Sequence, residues 1–510
     1  MAEAPGARFS MHRLSLRPYD PALPRHSIQA CLAVVALAAV MSITACGSES
    51  GPEGAFDEFH SQPALAPPAV DVTQEKDGKV SPGYVFVAPK KAAKMRGPLI
   101  VANDGQVVWF KQVGPREATD FKVQRYRHKP VLTWWEGTSK FGIGKGAGMI
   151  YDSSYRKIAE VRAGHGYQAD LHEFRLTPRG TALLVIYHAV PATGLEKYGG
   201  QKKGLVQDGI IQEIDVATRK VLFEWHSVGH VGLDDSYTRI RKVKKKERTI
   251  YAPFDYFHPN SITLDSNGNF LVSGRNTRAL YLISRSTGRI LWRLGGKKSD
   301  FKMGPGTRFA WQHDAELHPD GTLTLFDNES MPKVGDQSRG LLLHVDLHNR
   351  TVTLKKAYVH PKKLLAPHQG NLQLLPDGHA FVGWGGIPYF TEFDKDGNVV
   401  FDAHMAKGLD TYRSYRFEWH ATPASPPRIA LSARKDGRVS VWASWNGATE
   451  VARWQVLVGD AANDLKPARE VNKVAFETQV TLTAKGRWIA VRALDSASRT
   501  LATSVPKRMP

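Results

Sequence analysis

Cysteine is nearly absent from this chain of 510 residues: only Cys31 and Cys46 occur, both near the amino terminus. Past Cys46 no disulfide and no thiolate metal cluster can form, which excludes small disulfide scaffolds and zinc fingers. Long apolar runs are scarce as well. The run that stands out, "LAVVALAAVMSI" at 32–43, has twelve residues, short of the roughly 20 that a bilayer-spanning helix needs. No long segment repeats its apolar residues with a 3.6-residue period, so nothing argues for a DNA-reading or calmodulin-type helix. Acids are outnumbered, 49 against 69 bases, for a formal charge of +20. Such a balance favours anionic partners, and for an exported chain nucleic acid is the least suitable of these.

What is present begins with Arg8, Arg13, Arg17 and Arg25 ahead of the apolar run, followed by small Thr44 and Ala45 and then Cys46. A basic segment, a short apolar segment and small residues make a secretory signal over 1–45; Met11 offers a second start and a shorter signal. The "ITAC" at 43–46 resembles the lipobox of bacterial lipoproteins. That resemblance implies cleavage before Cys46 and lipid on its thiol, hence an exported lipoprotein anchored on the outer face of the cytoplasmic membrane. A membrane-tethered or plainly secreted chain is the alternative. Loss of 1–45 would remove four arginines against two acids and leave +18. Residues 46–80, with "GSESGPEGAFDEFHSQPALAPPAV", are rich in Gly, Pro, Ser and acids, as expected of a flexible tether.

From 81 onward short apolar runs alternate with turn signals, as in "SITLDSNGNFLVSGR", "AELHPDGTLTLFDN" and "NLQLLPDGHAFVGWG". An Asn-Gly or Asp-Gly between two β-rich stretches signals a hairpin. One unit recurs: a histidine, a short strand, a turn with Gly, a second strand. It places His172, His258, His313 and His368 at intervals of 86, 55 and 55. A period near 50 with four strands per unit is the signature of propeller blades. Units near 98–113 and 121–163 bring the count to six, with strands from both ends closing the ring. The expected fold is all-β: a six-bladed propeller over 81–419. After 420 the histidine units stop and Pro-rich, alternating strands suggest a fibronectin type III-like sandwich over 420–510; a seventh blade is the alternative. The extra segment at 189–256 carries "RIRKVKKKER" at 239–248, seven bases in ten. It reads as a solvated charge run, with contact to anionic lipid as the functional alternative.

The first strand of each blade lines the central channel, so the four histidines should converge at one mouth. A lone strand histidine is ordinarily a hydrogen-bonded structural residue. Here Asp170, Glu173, Asn260, Gln312, Asp314, Gln369 and Asn371 flank the four, and an apolar core would not hold so many polar groups without partners. The Asp-Gly turns "DSNGN" and "DKDGN" lack the later Glu of a calcium loop. No metal is expected.

The strings "PFDYFHPNSITLDSNGNFLVSGRNT", "QHDAELHPDGTLTLFDN", "HQGNLQLLPDGHAFVGWG" and "SWNGATEVARWQVLVG" together resemble the arylsulfotransferase family, in its actinobacterial and fungal branch. The resemblance implies a six-bladed propeller that moves a sulfuryl group from aryl sulfates to phenols through a histidine, independently of 3′-phosphoadenosine phosphosulfate and with no cofactor. By motif, His313 in "QHDAE" matches the histidine that becomes sulfated. His258 and Asn260 in "FHPNS" match the pair holding the sulfuryl oxygens, and Arg275 in "SGRNT" matches the arginine that neutralises them. His172 in "DLHEF" matches a further sulfate-binding histidine, with His368 as a neighbour, while Pro259 departs from the usual pattern. Implied partners are small aryl sulfates and phenols, with the membrane reached through Cys46; a homodimer stays open. An aryl sulfate hydrolase and a non-catalytic binding propeller are the rival readings, since propellers host many functions.

Overall fold

The computed structural model describes residues 56–91, 95–245 and 248–510, without the side chains of 245 and 248. The expected signal at 1–45, Cys46 and residues 46–55 of the expected tether lie outside the described residues, as do 246 and 247 of the basic run. Among the described residues helix is confined to short 3₁₀ turns, and none is long and apolar enough to cross a membrane. The all-β expectation holds.

Six largely antiparallel sheets succeed one another along the chain; five are built on a meander of four consecutive strands, the first takes its fourth strand from the far end of the region, and the fifth also carries the short parallel strand Lys302–Met303. The second runs through Glu117–Tyr126, Lys129–Lys140, Ile143–Tyr151 and Lys157–Val161, and the third through Phe174–Leu176, Thr181–Thr193, Lys203–Asp215 and Val221–His226. Pro259–Leu264 opens the fourth, His313–Leu317 the fifth and Asn371–Leu374 the sixth. Hairpin chemistry explains the repetition. In the turn at 318–321, Asp320 accepts from the Thr322 N–H at 2.9 Å and Gly321 takes φ +78, a left-handed conformation that costs glycine little.

The first sheet joins the two ends of this region. Tyr84–Val87, Leu99–Val101 and Val107–Phe110 receive Tyr415–Phe417 as their fourth strand, with Tyr84 opposite Phe417 and Phe86 opposite Tyr415. Side-chain bonds then run from each sheet to the next. Thr119 donates to the Leu171 carbonyl at 2.7 Å, Tyr187 to Pro259 at 2.8 Å and Asn260 to Gln312 at 2.7 Å. Asn328 donates to Gln369 at 2.9 Å and Asn371 to Ser414 at 2.8 Å, and Arg413 returns to Asp120 at 2.9 Å. The apolar core is divided accordingly. Clusters lie between consecutive sheets, such as Trp135, Ile150, Phe174 and Leu184 between the second and third, or Val85, Leu99, Phe381 and Phe401 between the first and sixth. Inner strands such as Phe270–Gly274 and Ala279–Ile283 are buried on both faces, which is why they read as near-continuous apolar runs.

One feature differs from expectation. Residues 56–80 do not form a free tether. Val70–Glu75 pairs with the outer strand Val399–Met405 of the sixth sheet, because an edge strand offers unpaired backbone groups that a passing segment can satisfy. Ser61 hydrogen-bonds Glu477 through its hydroxyl, the His60 N–H reaches the same carboxylate at 3.0 Å, and Gln62 reaches Ser444 at 2.9 Å. Part of the basic run is also ordered: Lys242–Lys245 pairs with Arg248–Tyr251, with Val243 opposite Ile250, and Lys242 and Lys244 are exposed.

Past Arg428 the chain builds a three-stranded sheet from Arg428–Ala433, Val439–Ser444 and Glu477–Leu482, and a second sheet around Arg453–Ala461 and Trp488–Leu494. Val441, Trp454, Val456, Val480, Ile489 and Val491 form a core of their own. Asn446 clasps the backbone of Phe110 through both its N–H, at 2.9 Å, and its carbonyl, at 2.8 Å.

Candidate active site

His172, His258, His313 and His368 all sit where the first strand of a sheet begins, in the third to the sixth sheet respectively. The backbone there is bent: His258, Asp314 and Gln369 take left-handed φ values of +55, +52 and +67, a conformation that costs a non-glycine residue about 1–3 kcal/mol and is held by its surroundings.

Two of the four rings meet, and a third is linked to them through a tyrosine. His172 and His258 lie edge to face with centroids 4.8 Å apart, and Tyr187 packs against both at 5.5 and 5.3 Å. Tyr412 bridges inward, 5.6 Å from His172 and 6.4 Å from His313. His368 makes no ring contact with these three; it packs on Gly386, where an added Cβ would sit 2.7 Å from its Cε1. Burial, with the charges of Lys91, Lys90 and Arg275 adding to it, presses its pKa down to about 4.

Each of the three clustered rings is oriented by a partner. His172 Nδ1 pairs with Asp170 Oδ1, a contact shared with the His172 N–H at 3.0 Å. His258 Nδ1 pairs with Asp255 Oδ2 at 2.5 Å. His313 is fixed differently. Asn328 Nδ2 donates to the carbonyls of Ala366, at 3.2 Å, and Gln369, at 2.9 Å, which turns its Oδ1 toward His313 Nδ1 at 2.7 Å. An amide oxygen can only accept, so Nδ1 carries the proton and Nε2 keeps its lone pair. That lone pair accepts a 3.2 Å bond from the Gln369 N–H. Burial, together with the charge of Arg275, holds the His313 pKa well below the ordinary histidine value, so the ring is neutral at physiological pH.

Arg275 stacks on Trp311 at 5.1 Å and donates to Asn276 Oδ1 at 2.9 Å and toward the Met331 carbonyl at 3.5 Å. Among the described residues it has no ion-pair partner. A guanidinium in this setting is incomplete without an anion. Asn260 is fully buried, with Nδ2 donating to Gln312 and Oδ1 without a partner. One amide hydrogen is thereby committed to the backbone, which narrows what Asn260 can offer a bound oxygen.

Behind the rings lies a charged cluster that the sequence did not reveal. Arg413 Nη1 meets Asp120 at 2.9 Å, Glu173 at 3.1 Å and Asp314 at 3.2 Å, and Lys122 reaches Asp120 at 2.8 Å and Glu173 at 2.9 Å. Arg413 Nη2 donates to the Asn260 carbonyl at 3.0 Å, and Tyr412 OH to the same oxygen at 3.3 Å, so the cluster props the strand that carries His258. Burial lifts the Asp314 carboxyl to about 6 against the pull of Arg413. Asp170 was visible two residues ahead of His172, and Asp255 three ahead of His258. Asn328, Tyr187, Tyr412 and Arg413 carried no local signal, since their positions follow from the packing of different sheets.

The arrangement can bind an anion at Arg275, hold one neutral imidazole as nucleophile, and move protons through two carboxylate-oriented imidazoles. Among the described residues no group of His, Asp and Glu is disposed to hold a metal ion.

The sequence model of the family described as Arylsulfotransferase (ASST) matches residues 122–406, from the second sheet to the end of the sixth. No curated protein matches the chain. Among solved structures, a protein of unknown function from Bacteroides caccae is 13% identical, covering 66% of this chain and 98% of its own, with a TM-score of 0.40. A protein from Lactobacillus plantarum is 11% identical, covering 78% and 99%, with a TM-score of 0.35. A catalytically inactive virginiamycin B lyase from Staphylococcus aureus is 10% identical, covering 74% and 97%, with a TM-score of 0.33. Likeness this distant leaves the chemistry to the residues themselves.

Proposed function

Because the chain belongs to the arylsulfotransferase family, we propose that it transfers a sulfuryl group from an aryl sulfate ester to a phenol, with His313 carrying the group between them. The observation that carries this reading is His313 itself: a buried, neutral imidazole with Nδ1–H locked on Asn328, close to an arginine that lacks an ion-pair partner among the described residues.

In the first half-reaction the Nε2 lone pair of His313 attacks sulfur in place of the long Gln369 bond, the N–S bond forms and the S–O bond to the aryl group breaks. The leaving phenolate takes a proton from His258, whose ring is held by Asp255, while His172, whose pKa burial lowers, contributes as a neutral ring. An acceptor phenol then returns a proton to His258, its oxygen attacks sulfur, and the N–S bond breaks to regenerate His313. Arg275 offsets the charge that gathers on the three non-bridging oxygens, an electrostatic contribution of about 3–4 kcal/mol for one well-placed donor in comparable sites. No cofactor enters this sequence.

The six cyclically bonded sheets fit a six-bladed propeller with the histidines at one channel mouth, and the two sheets after Arg428 fit a fibronectin-like sandwich. We place this enzyme outside the cytoplasmic membrane, anchored through Cys46.

Purified protein incubated with p-nitrophenyl sulfate, with and without phenol, tests the reading. Nitrophenol release that depends on phenol is expected, with loss in His313→Ala. Release without phenol would make the protein a hydrolase, and no release in either case would leave a binding module.

A further inference from the structure

The segment between Val221–His226 and Pro259–Leu264 folds back over the turn that bears Arg275. Its Tyr237 N–H bonds the Asn276 carbonyl at 2.8 Å, which lays the half-exposed Tyr237 ring over the guanidinium of Arg278 at 4.2 Å. On its other contact Arg278 meets Trp311, again at 4.2 Å. Trp311 is fully buried and fixed by an Nε1–H bond to the Pro332 carbonyl at 2.8 Å. The same indole carries Arg275 at 5.1 Å. Two guanidinium groups from one turn, Arg275–Thr277 and its cap Arg278, thus share a single aromatic support.

Arg278 has no other evident use. Among the described residues it makes no ion pair and no side-chain hydrogen bond, and its Nε is buried without a partner. The acids whose charge reaches it, Glu329 and Asp327, are drawn instead to Arg339, at 3.5 and 3.0 Å. Lys297 also approaches Tyr237, at 4.9 Å, but its ammonium is taken by the Asp234 and Ser236 carbonyls at 2.8 and 2.6 Å. The backbone of Arg278 is left-handed, with φ +50, a conformation that an arginine adopts only at a cost. Stacking between aromatic rings stabilises the cation and fixes its plane, and its two Nη groups, unlike Nε, are not buried, which leaves them for a two-point contact with an oxyanion.

We propose that Arg278, clamped between Tyr237 and Trp311 beside Arg275, is a second anion subsite, so that the preferred aromatic substrates carry a carboxylate, sulfonate or second sulfate ester besides the reacting group. This rests on the sulfuryl-transfer reading for the role of Arg275. It also gives the insertion a task, since Tyr237 comes from it.

Binding of benzenesulfonate, 3-sulfobenzoate and 4-sulfobenzoate to wild type, Arg278→Met and Arg278→Lys, measured by calorimetry, tests the subsite without turnover. Wild type should prefer one of the sulfobenzoates over benzenesulfonate by about tenfold or more, as for a hydrogen bond between charged groups. The preference should fall to near one in Arg278→Met and stay partial in Arg278→Lys. Should Arg278→Met fail to fold, the wild-type preference and its reduction in Arg278→Lys decide the matter. Equal binding of the three probes by wild type, or a preference that survives in Arg278→Met or is undiminished in Arg278→Lys, overturns the proposal. A parallel p-nitrophenyl sulfate assay on wild type separates the two readings: a dianion preference without transfer keeps the subsite and sinks the enzyme, and transfer without the preference does the reverse.

Discussion

Asn328→Leu perturbs the site at its most informative point. Asn328 is fully buried and makes three bonds: two from Nδ2 to carbonyls and one from the His313 Nδ1–H to Oδ1. Leucine is close in volume and removes all three. Stranding the Ala366 and Gln369 carbonyls and the imidazole N–H costs roughly 3–9 kcal/mol of stability, at about 1–3 kcal/mol for each buried group left unpaired. The imidazole proton is then free to move to Nε2, which removes the attacking lone pair. Losing about 1–3 kcal/mol of tautomer bias lowers kcat/KM by roughly 5- to 150-fold. Asn328→Asp separates geometry from charge. A carboxylate still accepts the Nδ1–H and keeps the tautomer, but its charge favours the imidazolium and moves the acid limb of the pH–rate profile upward from its position well below 6.5. The measurements are kcat/KM for p-nitrophenyl sulfate with phenol from pH 4 to 8 and urea unfolding of both variants. If Asn328→Leu runs at the wild-type rate, or Asn328→Asp leaves the acid limb where it was, Asn328 does not set the state of His313.

Arg413→Met should cost about 3–5 kcal/mol in urea unfolding, because Asp120, Glu173 and Asp314 remain buried, with Lys122 shared by the first two and Arg175 4.0 Å from Glu173 to offset them; adding Asp314→Asn should recover part of it, and a neutral effect would show that the cluster is already protonated. The contribution of His368 to stability should fall with acid, opposed over part of the range by Asp314, whose folded carboxyl is lifted to about 6. Unfolded, His368 takes a proton near 6.5; folded, burial delays this to about 4, so between those values His368 binds more protons in the unfolded chain and its contribution drops as pH falls. The loss reaches about 3 kcal/mol by pH 4, with buried His313 adding in the same direction, and His368→Gln should flatten the slope of unfolding free energy against pH. Glu477→Ala frees the Ser61 and His60 contacts and should speed limited proteolysis near residues 56–65; an unchanged digestion pattern would mean that the strand at Val70–Glu75 alone holds the segment.

The residues themselves made several things legible. Short apolar runs broken by Asp-Gly and Asn-Gly turns made the strand content legible, because strand preference and turn conformation are local properties. The recurring unit placed His172, His258 and His313 at equivalent strand starts, and equivalent positions in successive sheets come together when the chain closes on itself. Tertiary structure decided what those histidines are. The tautomer of His313 depends on Asn328, whose amide is turned by two carbonyls 38 and 41 residues away. The cation behind the site is Arg413, brought 293 residues along the chain to Asp120. The expected tether lost residues 56–80 to the fold because an edge strand accepted Val70–Glu75, and composition alone does not reveal an open edge. Arg278 reads in sequence as one base among 69. Its stacking between Tyr237 and Trp311 exists only in three dimensions, because pattern specifies which residues can pair and distance alone settles which of them do.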